Sequence, residues 1–464
     1  MTGRHAPSPC ASSAPACARS NLQPSGVLAL HELGLQEALE ATAIQTRSLN
    51  YYTKEGKLIY SDPRGIHAGY KVPQCATLSP APVPLPLPHP NPLHPTPTRA
   101  HCRPHPCRYS IHRGKLQMIL FDAAKATLGE ARVHTARQLV SFEQRPADGK
   151  VDVVFDVVDA QMRPTGERVT ETCDVLIAAD GIKSAVRQQL YPEDTIKYAG
   201  LMLWRATTTT DQPFLDGDTM FMAGTNDAKL VAYPIDGEAR ADGKSVINWI
   251  AECYQRDYDP ETFGYSTPAT KEDFRHLYDD WGGGFWEKDA AEKGEGLDIQ
   301  KLIDGAEEVF AYPMCDRDPV KRWSFGRVTL LGDAAHAMRP NGSNGATQAI
   351  LDGVCLARLL DPAALAVDAA EGDKHGDVVE AALEAYEKER LEPTTRVVMA
   401  NRGTGPEKVL QMVVDDPETP YEALDEVIAG YRKLAMFDIP RVNARFDAWQ
   451  AEQAEAGGAA GGAL

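Results

Sequence analysis

What the chain lacks narrows its range first. It has no run of about 18 apolar residues, so no transmembrane helix is expected. The first twenty residues, MTGRHAPSPCASSAPACARS, lack the apolar stretch of roughly 7–15 residues that a signal peptide needs. They hold Arg and Ser and no acid, so a mitochondrial transit peptide stays open beside the expected cytoplasmic location. Basic residues are in deficit, 48 Lys and Arg against 66 Asp and Glu, a net charge of -18. Neither a nucleic acid nor an anionic membrane is therefore expected as a partner. Paired cysteine spacing is missing as well. Of nine cysteines, Cys10, Cys17, Cys75, Cys102 and Cys107 fall in two compositionally odd segments, and Cys173, Cys253, Cys315 and Cys355 are scattered through apolar contexts. That pattern suits buried thiols in a reducing compartment and not a disulfide framework.

What is present is a globular composition, 43% hydrophobic and 25% charged. The 464 residues allow two or three domains at roughly 150 residues each. VLALHELGLQEALEA, from Val27, has helical spacing of Leu28, Leu30, Leu33 and Leu35. LQMILFDAAKATLG reads as a helix, and VDVVFDVVDAQ and ERVTETC read as strands of a meander. DVLIAAD (174–180) and RVTLL (327–331) are continuous apolar runs, as in parallel strands covered on both faces. Residues 200–255 are strand-rich, 270–310 look mostly helical, and the chain is helical from Gly345 to about Ala451 before a glycine-rich flexible tail.

Residues 75–108 stand apart. They hold eleven of the 33 prolines, four histidines and three cysteines, and no acid. An extended, polyproline-like loop is one reading. Metal ligation by His101, Cys102, His105 and Cys107 is another, although the spacing fits no zinc template well. A third hypothesis is a translated intron. The flanks KVPQ and YSIHRG join smoothly, and 34 residues correspond to a whole number of codons. A mature transcript that retains the stretch would contradict it. Residues 1–20 have the same character and are expected to be disordered, with non-native origin open.

Chemistry concentrates at two strand tips. Asp180–Gly181 ends one buried strand and Gly332–Asp333 ends the other. Ligands of open α/β sheets bind beyond such carboxyl ends. A carboxylate there can accept both hydrogens of a sugar diol, and a neighbouring glycine lets the ligand approach the backbone. Each pair alone is also common in turns. After Asp333, Pro340 and Gly342 shape a loop. Asn344, Gly345 and Ala346 then open a helix of small residues, whose free N–H groups favour a negative group.

Here the sequence resembles a known family. DVLIAADGIKSAVR and GRVTLLGDAAHAMRPNGSNGATQAILDGVCLA are similar to the two downstream flavin motifs of the FAD-dependent aromatic hydroxylases, the para-hydroxybenzoate-hydroxylase-like, single-component monooxygenases, and among them the phenazine- and salicylate-type enzymes. YSIHRGKLQMIL resembles the segment whose arginine, here Arg113, approaches FAD. LMLWRATTTT and KLVAYPI resemble the substrate-domain sheet. The resemblance implies that NADH or NADPH reduces FAD and that a flavin hydroperoxide passes one atom of dioxygen to an aromatic small molecule. It places Arg113, Asp180, Gly181, Gly332, Asp333, Pro340, Gly342, Asn344, Gly345 and Ala346 at the cofactor, and Trp204 and Arg205 on the substrate side. No metal is implied, no catalytic acid or base is singled out, and His336 reads as a packing or hydrogen-bonding residue. Oligomeric state stays open.

The expected fold is α/β. A Rossmann-like FAD domain spans 21–74, 109–190 and 321–400, a mixed-sheet substrate domain spans 191–320, and C-terminal helices and a tail span 401–464. One departure from the family matters. The strand–GxGxxG–helix unit with which it begins is absent, since WGGGFW (281–286) lacks a third glycine and follows no strand. The FAD domain is thus expected to be incomplete at its N-terminus and to hold FAD poorly. A catalytically dead remnant or binding protein of the same fold is the alternative to a working enzyme. A halogenase or prenyl reductase on this scaffold is less favoured, because no halogenase-type Lys and Trp signature is present.

Overall fold

The computed structural model describes residues 19–71, 109–211, 214–260, 264–281, 298–371 and 377–461. The proline-rich stretch 75–108, with its candidate metal ligands, lies outside the described residues, as do residues 1–18. Arg19 and Ser20, expected to be disordered, instead belong to strand β1 (Arg19–Leu22). Its pairing with β5 (Tyr109–His112) sets Arg19 opposite His112 and gives those backbone groups partners.

The fold is α/β with a large mixed sheet and a helical C-terminal part. Among the described residues, four sheets carry the strands. β2 (Ile44–Gln45) lies on the far side of β5 from β1. The meander is β6 (Arg137–Arg145), β7 (Lys150–Val158) and β8 (Pro164–Cys173). β9 (Leu176–Ala178) pairs in parallel with β17 (Val328–Leu330), and β16 (Ser324–Phe325) flanks β17. The large sheet runs β14–β15–β10–β13–β12–β11–β3–β4. Its strands are β3 (Ser48–Tyr52), β4 (Leu58–Pro63), β10 (Ile196–Thr210), β11 (Thr219–Gly224), β12 (Ala228–Pro234), β13 (Ser245–Tyr254), β14 (Thr267–Ala269) and β15 (Ala306–Arg317).

Side chains alternate between the faces of a strand, so each strand of this sheet serves two environments. One face carries Met202, Trp204, Ala206, Leu230, Ala232, Trp249 and Ala251, buried against Phe274, Tyr278 and the helix Ile299–Asp304. Trp204 stacks on Phe274 with ring centroids 5.1 Å apart. The other face carries Leu203, Arg205, Lys229, Val231, Ile250 and Glu252, which line a cavity. Cross-strand pairing puts Leu203 opposite Glu252, Arg205 opposite Ile250, and Lys229 opposite Glu252.

Several elements differ from their sequence patterns. The helix expected from Val27 is two, Pro24–Glu32 and Gln36–Thr42, because Gly34 adopts φ +75° between them. Residues 24–31 are all buried, so this helix is enclosed and not amphipathic. The apolar run at 174–180 yields only a three-residue strand, and its Ile177 is 37% exposed, so β9 is not covered on both faces among the described residues. Of the region 270–310, the described residues hold two short 3-10 turns, the helix Ile299–Asp304 and the start of β15, and residues 282–297 lie outside the described residues. The last helix runs Ile439–Gly461, into the glycine-rich tail. Among the described residues, Cys173, Cys253, Cys315 and Cys355 form no disulfide. No helix among the described residues is long and apolar enough to cross a membrane.

The apolar face predicts a stability effect. Phe274 has no exposure and touches both Trp204 and Trp249. Phe274→Ala should cost about 3–5 kcal/mol through lost burial plus the cavity left behind. A denaturant midpoint unchanged from wild type would show that the ring is not packed as described.

Candidate functional site

The cavity of about 550 Å³ lies between the charged face of the large sheet and the loops that follow β17. That volume is within the usual range for a cofactor or small-molecule site. β17 delivers the chain to Gly332, which sits at φ +60°. A Cβ there would come within 3.2 Å of the Ala349 Cβ, so glycine is needed for both conformation and closeness.

One buried carboxylate fixes this turn. Asp352, from the helix Gly345–Leu359, has no exposure. Its Oδ2 accepts from Gly332 N at 3.1 Å and lies 2.6 Å from His336 Nε2. Its Oδ1 accepts from Arg390 Nε at 2.8 Å. Arg390 also donates to Gln348 Oε1 at 2.6 Å. Burial disfavours the ionised form of Asp352, but the charges and hydrogen bonds of His336 and Arg390 outweigh it and hold the carboxyl below its usual range. His336 therefore serves packing and hydrogen bonding, at a place that orients the strand tip.

Asp333 opens the next short helix, and its exposed side chain faces the cavity. Gly181, Arg113, Pro340, Gly342, Asn344, Gly345 and Ala346 line the same cavity. Asp180 does not. Its Oδ2 accepts from Ala185 N at 2.8 Å, so the carboxylate caps the helix Ala185–Leu190, and only Gly181 of that pair reaches the ligand space. In the 340s loop, Gly342 takes φ +74° against the Tyr431 ring. Gln23 Nε2 donates to Gly342 O at 2.8 Å. Asn344 is fully enclosed, and neither its amide oxygen nor its amide nitrogen has a partner. Buried polar groups are nearly always paired, so this amide marks a place for a hydrogen-bonding ligand. Beside it stand the free N–H groups that begin the fifteen-residue helix Gly345–Leu359. An unpaired donor–acceptor amide and a helix N-terminus side by side fit the pyrimidine edge of a flavin.

On the sheet side, the adjacent residues Trp204 and Arg205 separate. Trp204 is in the core on the far face, contrary to the expectation that it meets the substrate, because neighbours on a strand cannot share a face. Arg205 is enclosed by protein, with its accessible surface turned to the cavity. Its Nε has no acceptor, and its guanidinium carbon lies 5.3 Å from the Tyr312 ring centroid. Burial lowers its pKa from the ordinary value.

Three charged residues here were not singled out from the sequence. Lys229 Nζ lies 3.1 Å from Glu252 Oε1 and also pairs with Glu407 Oε2. All three side chains are at most 8% exposed, and all line the cavity. Glu407 further accepts from Asn341 Nδ2 at 2.8 Å and from Gly342 N at 3.4 Å, tying the sheet to the 340s loop. Charged residues inside the apolar strands KLVAYPI and SVINWIAECY were the available signal. At the other end of the cavity, Asp62 pairs with both Arg64 and Arg432.

An α/β protein with a strand-tip acid, an unpaired amide beside a helix N-terminus and a charged sheet face around one cavity fits one class, the flavoprotein oxidoreductases. Comparison with known proteins names the family. Residues 299–401 match the FAD binding domain family. The chain is 34% identical over 419 residues to phenazine 1,6-dicarboxylic acid hydroxylase PhzS of Lysobacter antibioticus, covering 89% of this chain and 86% of that protein. It is 28% identical over 328 residues to 3-hydroxybenzoate 6-hydroxylase of Polaromonas naphthalenivorans strain CJ2, covering 68% and 70%. Its fold is similar to a salicylate hydroxylase substrate complex, with TM-score 0.58, 18% identity and 90% of each chain covered. It is also similar to CtdE in complex with FAD and a substrate, with TM-score 0.62 and 14% identity over 91% of this chain and 90% of that one. The chain belongs to the FAD-dependent aromatic hydroxylases, whose members are monooxygenases.

Asp352 generates a prediction. Asp352→Asn leaves Arg390 and His336 facing a neutral amide in a dry site, which should cost about 3–5 kcal/mol. A depressed carboxyl stabilises the fold fully above its unfolded value of about 3.9 and loses that contribution as pH falls through its folded value. Urea unfolding should therefore show a large gap between variant and wild type at pH 7 and a smaller one near pH 3. An equal gap at both would contradict the charged role.

Proposed function

We propose that the chain is an NAD(P)H-consuming monooxygenase that hydroxylates an aromatic carboxylic acid, with Arg205 holding the substrate carboxylate. The observation that carries this is the unpaired guanidinium. An enclosed cation without a hydrogen-bonded acceptor is costly, and a bidentate carboxylate relieves that cost. Leu203, Val231, Ile250 and Met222 supply an apolar floor beside it for a planar ring. The resemblance to a hydroxylase of phenazine 1,6-dicarboxylic acid supports the same substrate class.

In this reading FAD, when bound, supplies electron transfer and oxygen activation. Asn344 and Gly345 hold the pyrimidine edge of its ring, Pro340, Gly342 and Ala346 shape the ring pocket, and Gly332, Asp333, Gly181 and Arg113 hold its ribose and phosphate region. The protein's own part is to orient both planes, exclude water and fix the charges around them.

One observation favours a second reading, in which the same fold holds FAD weakly. β9 and β5 lie in different sheets, no described strand joins them, and Ile177 of β9 is left 37% exposed. Flavin absorbance of the purified chain separates the two readings. Stoichiometric FAD with substrate-dependent NAD(P)H oxidation supports the enzyme, and colourless protein that a grafted strand–GxGxxG–helix unit turns yellow supports the second.

Arg205 is tested directly. Arg205→Gln should weaken binding of phenazine-1-carboxylate by about 1.5–3 kcal/mol, roughly 10- to 150-fold, and leave the neutral carboxamide nearly unchanged. Equal losses for both compounds would reject a carboxylate anchor.

A further inference from the structure

The floor of the cavity holds four charges, three of them buried, and their sum changes when an anion arrives. Arg205 and Lys229 are positive, and Glu252 and Glu407 are negative. They stand close together. Glu252 is the cross-strand partner of Lys229, and it sits two residues beyond Ile250, the partner of Arg205. Such diagonal neighbours on antiparallel strands are roughly 7–8 Å apart at the backbone, within reach of long side chains. Without a ligand the four charges cancel. A carboxylate bound at Arg205 leaves one negative charge too many in a site shielded from water.

The two acids are not equivalent. Glu407 accepts from Lys229, Asn341 and Gly342. The Glu252 carboxylate has Lys229 as its only hydrogen-bonding partner among the described residues. An ionised carboxyl with few donors in a low-dielectric site is the first to take a proton. Burial and the charge of Glu407 already push Glu252 above its usual range, against the opposing pull of Lys229 and Arg205. The other groups around it do not compete. Tyr278 meets the backbone oxygens of Lys229 and Glu252 from the opposite face, and its hydroxyl is raised well above its ordinary value by burial. Burial pushes the Cys253 thiol up to about 11. Arg113 repels Arg205 from the start of the helix Arg113–Leu128, and its charge is set against the FAD phosphates it would hold, so it stands outside the sum of four.

We propose that the site binds its aromatic carboxylate together with one proton, held on Glu252. The inference rests on the reading of Arg205 as the carboxylate anchor. The step balances: the ligand carboxylate and one solvent proton enter, an O–H bond forms on Glu252, and no electrons move. Neutral Glu252 can then donate to the ligand, while Lys229 stays paired with Glu407. The device selects against neutral ligands, which bring no charge to offset Arg205. It also ties affinity to pH. Ligand binding raises the proton affinity of Glu252, so binding is tight and flat at low pH. It weakens tenfold per pH unit between the free and bound titration points, and levels off above them.

The test is calorimetry of phenazine-1-carboxylate binding to the full chain at saturating FAD, from pH 6 to 9, in two buffers of different ionisation enthalpy. The carboxamide is the neutral control. The expected result is uptake approaching one proton per carboxylate bound, an affinity that falls up to tenfold per pH unit, and neither effect for the carboxamide. Glu252→Gln mimics the protonated side chain, so it should keep carboxylate binding and lose both proton uptake and pH slope. Carboxylate binding without proton uptake in wild type, or uptake that survives in Glu252→Gln, overturns the proposal while leaving Arg205 as anchor. Failure of the carboxylate to bind at any pH overturns both.

Discussion

The Asp352 carboxylate is the interaction on which the cofactor side of the structure depends. It reaches from a helix to a strand tip and holds Gly332, His336 and Arg390 at once. Gly332 and His336 bracket the short helix Asp333–His336 and Arg390 comes from the helix Val378–Arg402, so the carboxylate sets where the turn after β17 lies relative to the helix Gly345–Leu359. Those two elements frame one side of the cavity. Were the tip to shift, Asp333 and the 340s loop would move with it, because Gly332 packs within a Cβ's width of Ala349. A fully buried anion is stable here only because each oxygen meets a charged or ring N–H donor.

A second constraint is the alternation of side chains along the large sheet. It lets one set of strands build a dry aromatic core on one face and an electrically active floor on the other. The floor is polarised, with Lys229, Glu252 and Glu407 at one end and Arg64, Asp62 and Arg432 at the other. Arg205 differs from the arginines of the second group in having no carboxylate of its own. Arg64 and Arg432 each form an ion pair with Asp62, and that contrast supports the reading of Arg205 as the anchor for a ligand anion.

Much of this was legible in the sequence, and the gaps have physical causes. The strand tips and the loop from Pro340 to Ala346 are local, so their residues could be read as a group, and the structure gathers most of them around one cavity. Asp180 illustrates the limit. An Asp before a glycine looks the same whether its carboxylate points at a ligand or caps the next helix, and here it caps. Trp204 and Arg205 could not both face the substrate, but which one does depends on where the core lies. Glu407 lies 178 residues from Lys229, and Arg390 lies 38 from Asp352, so no spacing rule links them. Lys229 and Glu252 were not singled out; as charges inside apolar strands they carried a signal, but one that could not say that they meet.

The most direct test of the account is a crystal structure of the chain with FAD and phenazine-1-carboxylate. The account predicts the carboxylate oxygens within hydrogen-bonding distance of the Arg205 guanidinium, the ring over Ile250 and Val231, and the flavin pyrimidine edge against Asn344 and Gly345. A carboxylate seated instead at Arg64 and Arg432, with Arg205 still unpaired, would contradict it.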